Sequence, residues 1–151
     1  MTDRTSAQYI VAALILGVLA LLNAVLLRHS SVSTIVAIFL YILILVVAYF
    51  GGQRAQRHGR RPGWFGALLG AVFGTVEGFG AFFLRTTRQD LAPRGSHVSQ
   101  ASVNQLLHIA NSSVAHITAV ITTMLTFGLF ALVVGSIGGS AAKKPPDRDA
   151  V

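Results

Sequence analysis

Four runs of largely apolar residues, each long enough to cross a bilayer, constrain this chain more than any other feature. They cover Ala7 to Leu27, Val32 to Phe50, Gly63 to Leu84 and Val114 to Gly135. A helix needs about 20 such residues to cross the hydrocarbon core, and it satisfies its own backbone groups there. The second run, "VSTIVAIFLYILILVVAYF", is rich in β-branched and aromatic residues, which in water would hint at a strand. Its length and its lack of turn residues favour a helix. Composition supports the same reading: 53% of the 151 residues are hydrophobic and 11% are charged, against about 25% charged in a typical soluble domain.

The expected fold is all-α, a single-domain integral membrane bundle of four transmembrane helices. Residues 1–6 form a short N-terminal tail, 7–139 the membrane domain and 140–151 a tail whose proline pair and charges predict disorder. A cleavable leader has an apolar region of roughly 7–15 residues. The first run is longer and passes through "RHSS" into the second, so it reads as an anchor that is retained. Only Arg28 to Ser31 join these two runs, which makes them a tight antiparallel hairpin.

The net charge of +7 lies in the connections and tails, which argues for orientation and lipid contact and against nucleic-acid binding. With four spans, Arg4, Arg54, Arg57, Arg60, Arg61, Lys143, Lys144 and Arg148 share one side. The other side has Arg28, Arg85, Arg88 and Arg94. The positive-inside rule therefore predicts both termini in the cytoplasm of a cell (plasma) membrane protein. The connection "GGQRAQRHGRRPGW" places Arg54, Arg57, Arg60 and Arg61 beside an interfacial Trp64. These four arginines are the candidate contacts for anionic lipid headgroups.

The connection from Arg85 to Ser113 is long. Within "HVSQASVNQLLHIANSS", Val103, Leu106, Leu107 and Ala110 fall at helical spacing with Val114. That predicts either an interfacial amphipathic helix before the fourth span or an outward extension of that span. "NSS" at Asn111 matches a glycosylation sequon, a short and common pattern.

The third run, "GWFGALLGAVFGTVEGFGAFFL", carries glycines at Gly66, Gly70, Gly74 and Gly78, with Gly63 one step before. On a helix of about 100° per residue with Gly66 at zero, these glycines fall between zero and roughly 120°. Trp64, Phe65, Leu68, Val72, Phe79, Phe82 and Phe83 fall between roughly 160° and 260°. One face is thus small and one mostly bulky, with Leu69, Phe73 and Leu84 as exceptions. Lipid offers little hydrophobic drive between helices, so small residues serve by letting backbones approach closely. Gly63, Gly66, Gly70, Gly74 and Gly78 are the candidate helix-packing residues.

Glu77 projects at about 20°, among the glycines. A charged acid at the centre of a lone span costs about 2.5–3.5 kcal/mol on insertion scales, whereas one facing other helices can be neutralised, paired or wetted. Glu77 lies roughly 10 Å from the outer end of its helix. On one continuous fourth helix, Gln105, His108, Ser112, His116, Thr123 and Thr126 share a sector of roughly 80°, broken at Ala119. Thr122 and Thr123 reach the depth of Glu77, and Asn23 lies near the outer end of the first span. These residues define an expected polar cluster of Asn23, Glu77, His116, Thr122 and Thr123. The blander account is that the hydroxyls bond their own helix and the stripe only joins helices.

Other chemistry finds little support. There is no cysteine. Of His97, His108 and His116, the last two share a sector but stand about 12 Å apart along one helix, too far to share an ion. No catalytic residue, metal site or cofactor motif is read. The expected function is that of a small multi-pass membrane protein without enzymatic activity, whose glycine-zipper third helix serves close packing or self-association as a homo-oligomer. The alternative is a proton- or cation-coupled transporter or channel component using Glu77.

Overall fold

The computed structural model describes residues 4–28, 30–91 and 100–142. Among them every regular element is a helix: α1 Arg4–Leu26, α2 Ser31–Arg57, α3 Pro62–Gly78, α4 Gly80–Phe83, α5 Arg88–Leu91, α6 Gln100–Ala110 and α7 Ser113–Ala141. Four segments are long and apolar enough to cross a membrane: Ser6–Leu26, Ser31–Arg57, Pro62–Phe83 and Ser113–Ala141.

Local chemistry sets the helix limits. Ser30 caps α2, its hydroxyl accepting from the Val32 amide at 3.2 Å. Beyond α2 the chain reverses at Gly59, whose φ of +66° favours glycine. Pro62 then opens α3, where its missing amide proton costs no helical bond. Ser112 caps α7 by accepting from the Ala115 amide at 3.2 Å.

These limits differ from the sequence expectation in four places. Helix begins at Arg4, within the stretch expected as a tail, and Ser6 is buried, its hydroxyl accepting from Arg60 Nη1 at 3.3 Å. α2 continues past Phe50 to Arg57, so Arg54 and Arg57 stand on a helix and not in a loop. The third span is irregular at Phe79, between Gly78 and Gly80, two residues of low helix propensity, but Phe79 stays in the right-handed helical region and its amide still donates to the Thr75 carbonyl at 3.1 Å. α7 runs on to Ala141, two residues into the tail expected from 140. Residues 143–151, with Lys143, Lys144 and Arg148, and the segment holding Arg94 and His97 lie outside the described residues.

The third connection resolves into separate pieces. α6 is its own helix, and Asn111 and Ser112 interrupt it before α7. Asn111 stitches this corner: its Oδ1 accepts from the Thr86 amide at 2.8 Å, and its Nδ2 donates to the Thr86 carbonyl at 3.0 Å and the Leu107 carbonyl at 2.9 Å.

α3 lies at the centre, packed against α1, α2 and, most extensively, α7. Ala13 and Ala20 of α1, Leu40 and Ile44 of α2, and Leu69 and Phe73 of α3 form the buried core. Large apolar side chains also cover the outside; Ile35, Leu129 and Phe130 are each at least 60% exposed. Exposed apolar surface on this scale is unfavourable in water but matches a hydrocarbon solvent. The start of α1, the α2–α3 turn and the end of α7 meet at one end of the bundle, through Ser6 with Arg60 and Gly139 against Pro62.

Candidate functional site

Glu77 lies in the last turn of α3, one helical turn beyond Phe73. The carboxylate meets α2: Tyr41 Oη donates to Glu77 Oε1 at 3.0 Å. The other oxygen, Oε2, is buried with no protein partner. Tyr41 is held in place by rings, at 6.1 Å from Phe73 and 4.9 Å from Phe127, while Phe73 and Phe127 lie 4.8 Å apart. Phe73 is fully buried. Phe73 stands one turn before Glu77 on α3, toward the Pro62 end, and its ring meets those of Tyr41 and Phe127.

Among the described residues no hydrogen bond joins any two of Asn23, Glu77, His116, Thr122 and Thr123. Buried Asn23 instead donates from Nδ2 to the Ser33 carbonyl at 3.1 Å, fastening α1 to α2. Thr123 donates within its own helix, to the Ala119 carbonyl at 2.8 Å and the Val120 carbonyl at 3.1 Å. Thr122 is exposed on the outside of α7. His116 packs its ring 5.2 Å from that of Phe82, and its Nε2 is buried without a partner. The polar stripe expected on one continuous helix is interrupted at 111–112, and Gln105 and His108 are exposed on α6.

Tyr41 is the partner that sequence reasoning missed. A signal did exist: Tyr41 lies ten residues into the second span, roughly 15 Å from its outer end at 1.5 Å per residue. That places it within about a turn and a half of the depth of Glu77. A tyrosine among apolar residues reads as one more aromatic until its hydroxyl has a partner.

The glycines of α3 face α7. A Cβ on Gly66, Gly70 or Gly74 would run into the carbonyl oxygen of Ala131, Phe127 or Thr123, respectively. On Gly78 it would meet Thr123 Oγ1, and on Gly63 the hydroxyl of Ser136. α7 answers with its own small residues: a Cβ on Gly135 would lie 2.9 Å from the Pro62 carbonyl and 3.0 Å from Gly66 Cα. Gly52 and Gly138 repeat the relationship between α2 and α7, each against a backbone carbonyl of the other helix.

The four arginines divide. Arg54 and Arg57 occupy the last turn of α2, Arg60 binds Ser6, and exposed Arg61 stands just before α3. At the opposite end Arg28 bridges the first connection to the third, with Nη2 2.7 Å from Asp90 Oδ2 and Nη1 donating to the Arg85 carbonyl at 2.8 Å.

The class that fold and site define is an all-helical protein with four helices long and apolar enough to span a bilayer. Comparison with family models, curated proteins and solved structures finds no match for the chain.

Proposed function

We propose that this is a small multi-pass protein of the cell membrane, without enzymatic activity, with both termini in the cytoplasm. In this reading the glycine face of α3 works as a zipper, and its work is close packing within the bundle. The observation that carries it is the approach of α3 to α7, where a single added carbon at Gly66, Gly70 or Gly74 meets main-chain oxygen. Backbone contact of this kind supplies van der Waals and weak hydrogen-bond energy that lipid does not compete for. Because α7 already covers this face, self-association through it requires α7 to be displaced or exchanged between copies; a homo-oligomer otherwise forms through other surfaces. The Arg-rich end faces anionic lipid headgroups and sets orientation.

The test is assembly and stability of Gly70→Leu and Gly74→Leu in purified protein. Loss of the folded monomer, read by gel filtration and resistance to unfolding in detergent, is expected. Wild-type behaviour of both variants would overturn the packing role.

A second reading keeps Glu77 as a proton or cation site. It is favoured by Oε2, a buried carboxylate oxygen with no protein partner. Intramembrane acids of this kind commonly mark ion pathways. The fully buried ring of Phe73, one turn before the acid on α3 and packed on Tyr41 and Phe127, weighs against a continuous path. Loss of a pH-dependent flux in proteoliposomes on Glu77→Gln, with folding intact, would establish this second reading.

A further inference from the structure

Among the described residues α6, Gln100–Ala110, is the longest helix outside the four spanning segments. Its 11 residues reach about 16 Å, too short to cross a bilayer. Its depth is set at its end. Asn111 is bonded to the Thr86 amide and carbonyl, just past the third spanning segment at Phe83 and just before the fourth at Ser113. α6 therefore ends at the level where both spans leave the hydrocarbon.

With Val103 at zero, the helix divides into three sectors. Val103, Leu107 and Ala110 fall between roughly −20° and 40° and are half-buried, and the elements packed against α6 are α5 and α7. Gln100, Ala101, Asn104, Gln105 and His108 fall between roughly 60° and 200°, all exposed. Leu106 and Ile109 take the remaining flank, at about −60° and −120°, and are 48% and 55% exposed. Ser102 projects between these two, a turn nearer the helix start. No Lys, Arg, Asp or Glu lies on α6; Arg88 of α5 donates to Asn104 at 2.9 Å.

We infer that α6 lies in the headgroup region of the bilayer, with Leu106 and Ile109 seated at the acyl boundary, and that this seating responds to how loosely the lipids pack. An interfacial helix is held by its buried apolar area and by attraction to anionic lipid, and α6 itself offers only the first. Leucine and isoleucine side chains enter where gaps open between headgroups, so a loosely packed leaflet accepts them more readily. Lipid is the occupant that fits, because two side chains fall far short of the roughly 800 Å² per partner that a stable protein interface buries. The inference rests on the reading of the chain as a membrane protein and gives its third connection a task of its own.

The chain has no cysteine, so single nitroxide labels can be placed at Leu106→Cys, Ile109→Cys and Gln105→Cys, with exposed Leu129→Cys of α7 as a control. Each is read in the full chain in dioleoyl phosphatidylcholine vesicles. Labels at 106 and 109 should be reached by oxygen and shielded from a water-soluble nickel chelate, and the label at 105 should show the reverse. Chelate access at 106 and 109 equal to that at 105 overturns the interfacial position. Low access to both reagents at 106 and 109 overturns it as well, since protein then covers the flank. Chelate access at 129 too would overturn the membrane reading itself, which separates the two failures.

Hydrogen exchange across residues 100–110 tests the response to packing. Leu106→Ser with Ile109→Ser should speed it at least about tenfold, taking each side chain at half the worth of full burial, with the four spans unchanged. Unchanged exchange in this variant overturns the seating of the flank. For the unsubstituted chain, exchange should also be faster in palmitoyl-oleoyl phosphatidylcholine, which packs more tightly than the dioleoyl lipid. Equal exchange in the two lipids overturns the packing response. Protection that follows added phosphatidylglycerol and is lost with Arg88→Gln overturns it too, because charge then seats the helix.

Discussion

Tyr41 on α2 and Glu77 on α3 are joined by a hydrogen bond of 3.0 Å from the phenol to one carboxylate oxygen. The bond crosses from α2 to α3 beside the buried ring of Phe73. It gives the acid a polar partner without a countercharge.

Tyr41→Phe removes this bond and leaves the rings in place. Interhelical hydrogen bonds in membrane proteins average about 0.6 kcal/mol, with a maximum near 1.7. A double-mutant cycle of Tyr41→Phe and Glu77→Leu, read by unfolding in denaturing detergent, should show coupling in that range. Additive effects of the two substitutions would mean that the bond contributes nothing to stability.

The glycines differ in what surrounds them, and alanine reads that difference. Gly70→Ala drives a methyl into the Phe127 carbonyl and should cost about 1–3 kcal/mol, as overpacking does. Gly128→Ala finds its nearest neighbour at 3.7 Å and Gly80→Ala at 4.0 Å. Those two should be neutral or stabilising by up to about 1 kcal/mol, since alanine loses less backbone entropy in a helix. Equal destabilisation by all three, measured as shifts in the unfolding midpoint, would count against specific packing at Gly70.

Packing within the chain and exchange between copies can be told apart with a disulfide. The chain has no cysteine, and a Cβ at Gly63 would touch the Ser136 hydroxyl. Gly63→Cys with Ser136→Cys should therefore oxidise readily. The expected product migrates as a monomer on non-reducing electrophoresis. A disulfide-linked dimer as the main product would show that α7 is exchanged between copies.

Asp90 holds the far end of the bundle. Its Oδ2 accepts from Arg28, from the Thr87 amide at 2.7 Å and from the Thr87 hydroxyl at 2.8 Å. Arg28→Gln removes one partner at a partly exposed site and should cost about 0.2–1 kcal/mol. Asp90→Ala removes all three contacts and should accelerate hydrogen exchange across residues 84–91, the change from Arg28→Gln being smaller. Unaltered exchange in Asp90→Ala would show that this connection is ordered by its other contacts, such as Asn111 with Thr86.

The sequence by itself determined four apolar helical segments and the division of the third into a small face and a bulky one. These are properties of single helices: length against bilayer thickness, and angle per residue. Glu77 could be placed on the small face for the same reason. What local periodicity could not supply was the relative rotation and axial shift of separate helices, which side-chain packing decides. Only the tertiary structure set Tyr41, not His116 or Thr122, against Glu77, because the rings of Phe73 and Phe127 hold α2 at that angle. It also placed α7 over the glycines and turned Asn23 to the Ser33 carbonyl. The helical placement of Arg54 and Arg57 depended on α2 continuing past Phe50, through a glycine pair that in sequence reads as its end. Gly51 and Gly52 are buried in helix there because Gly52 abuts the Gly135 backbone and Gly51 adjoins Leu69 and Phe65, contacts that outweigh their low helix propensity.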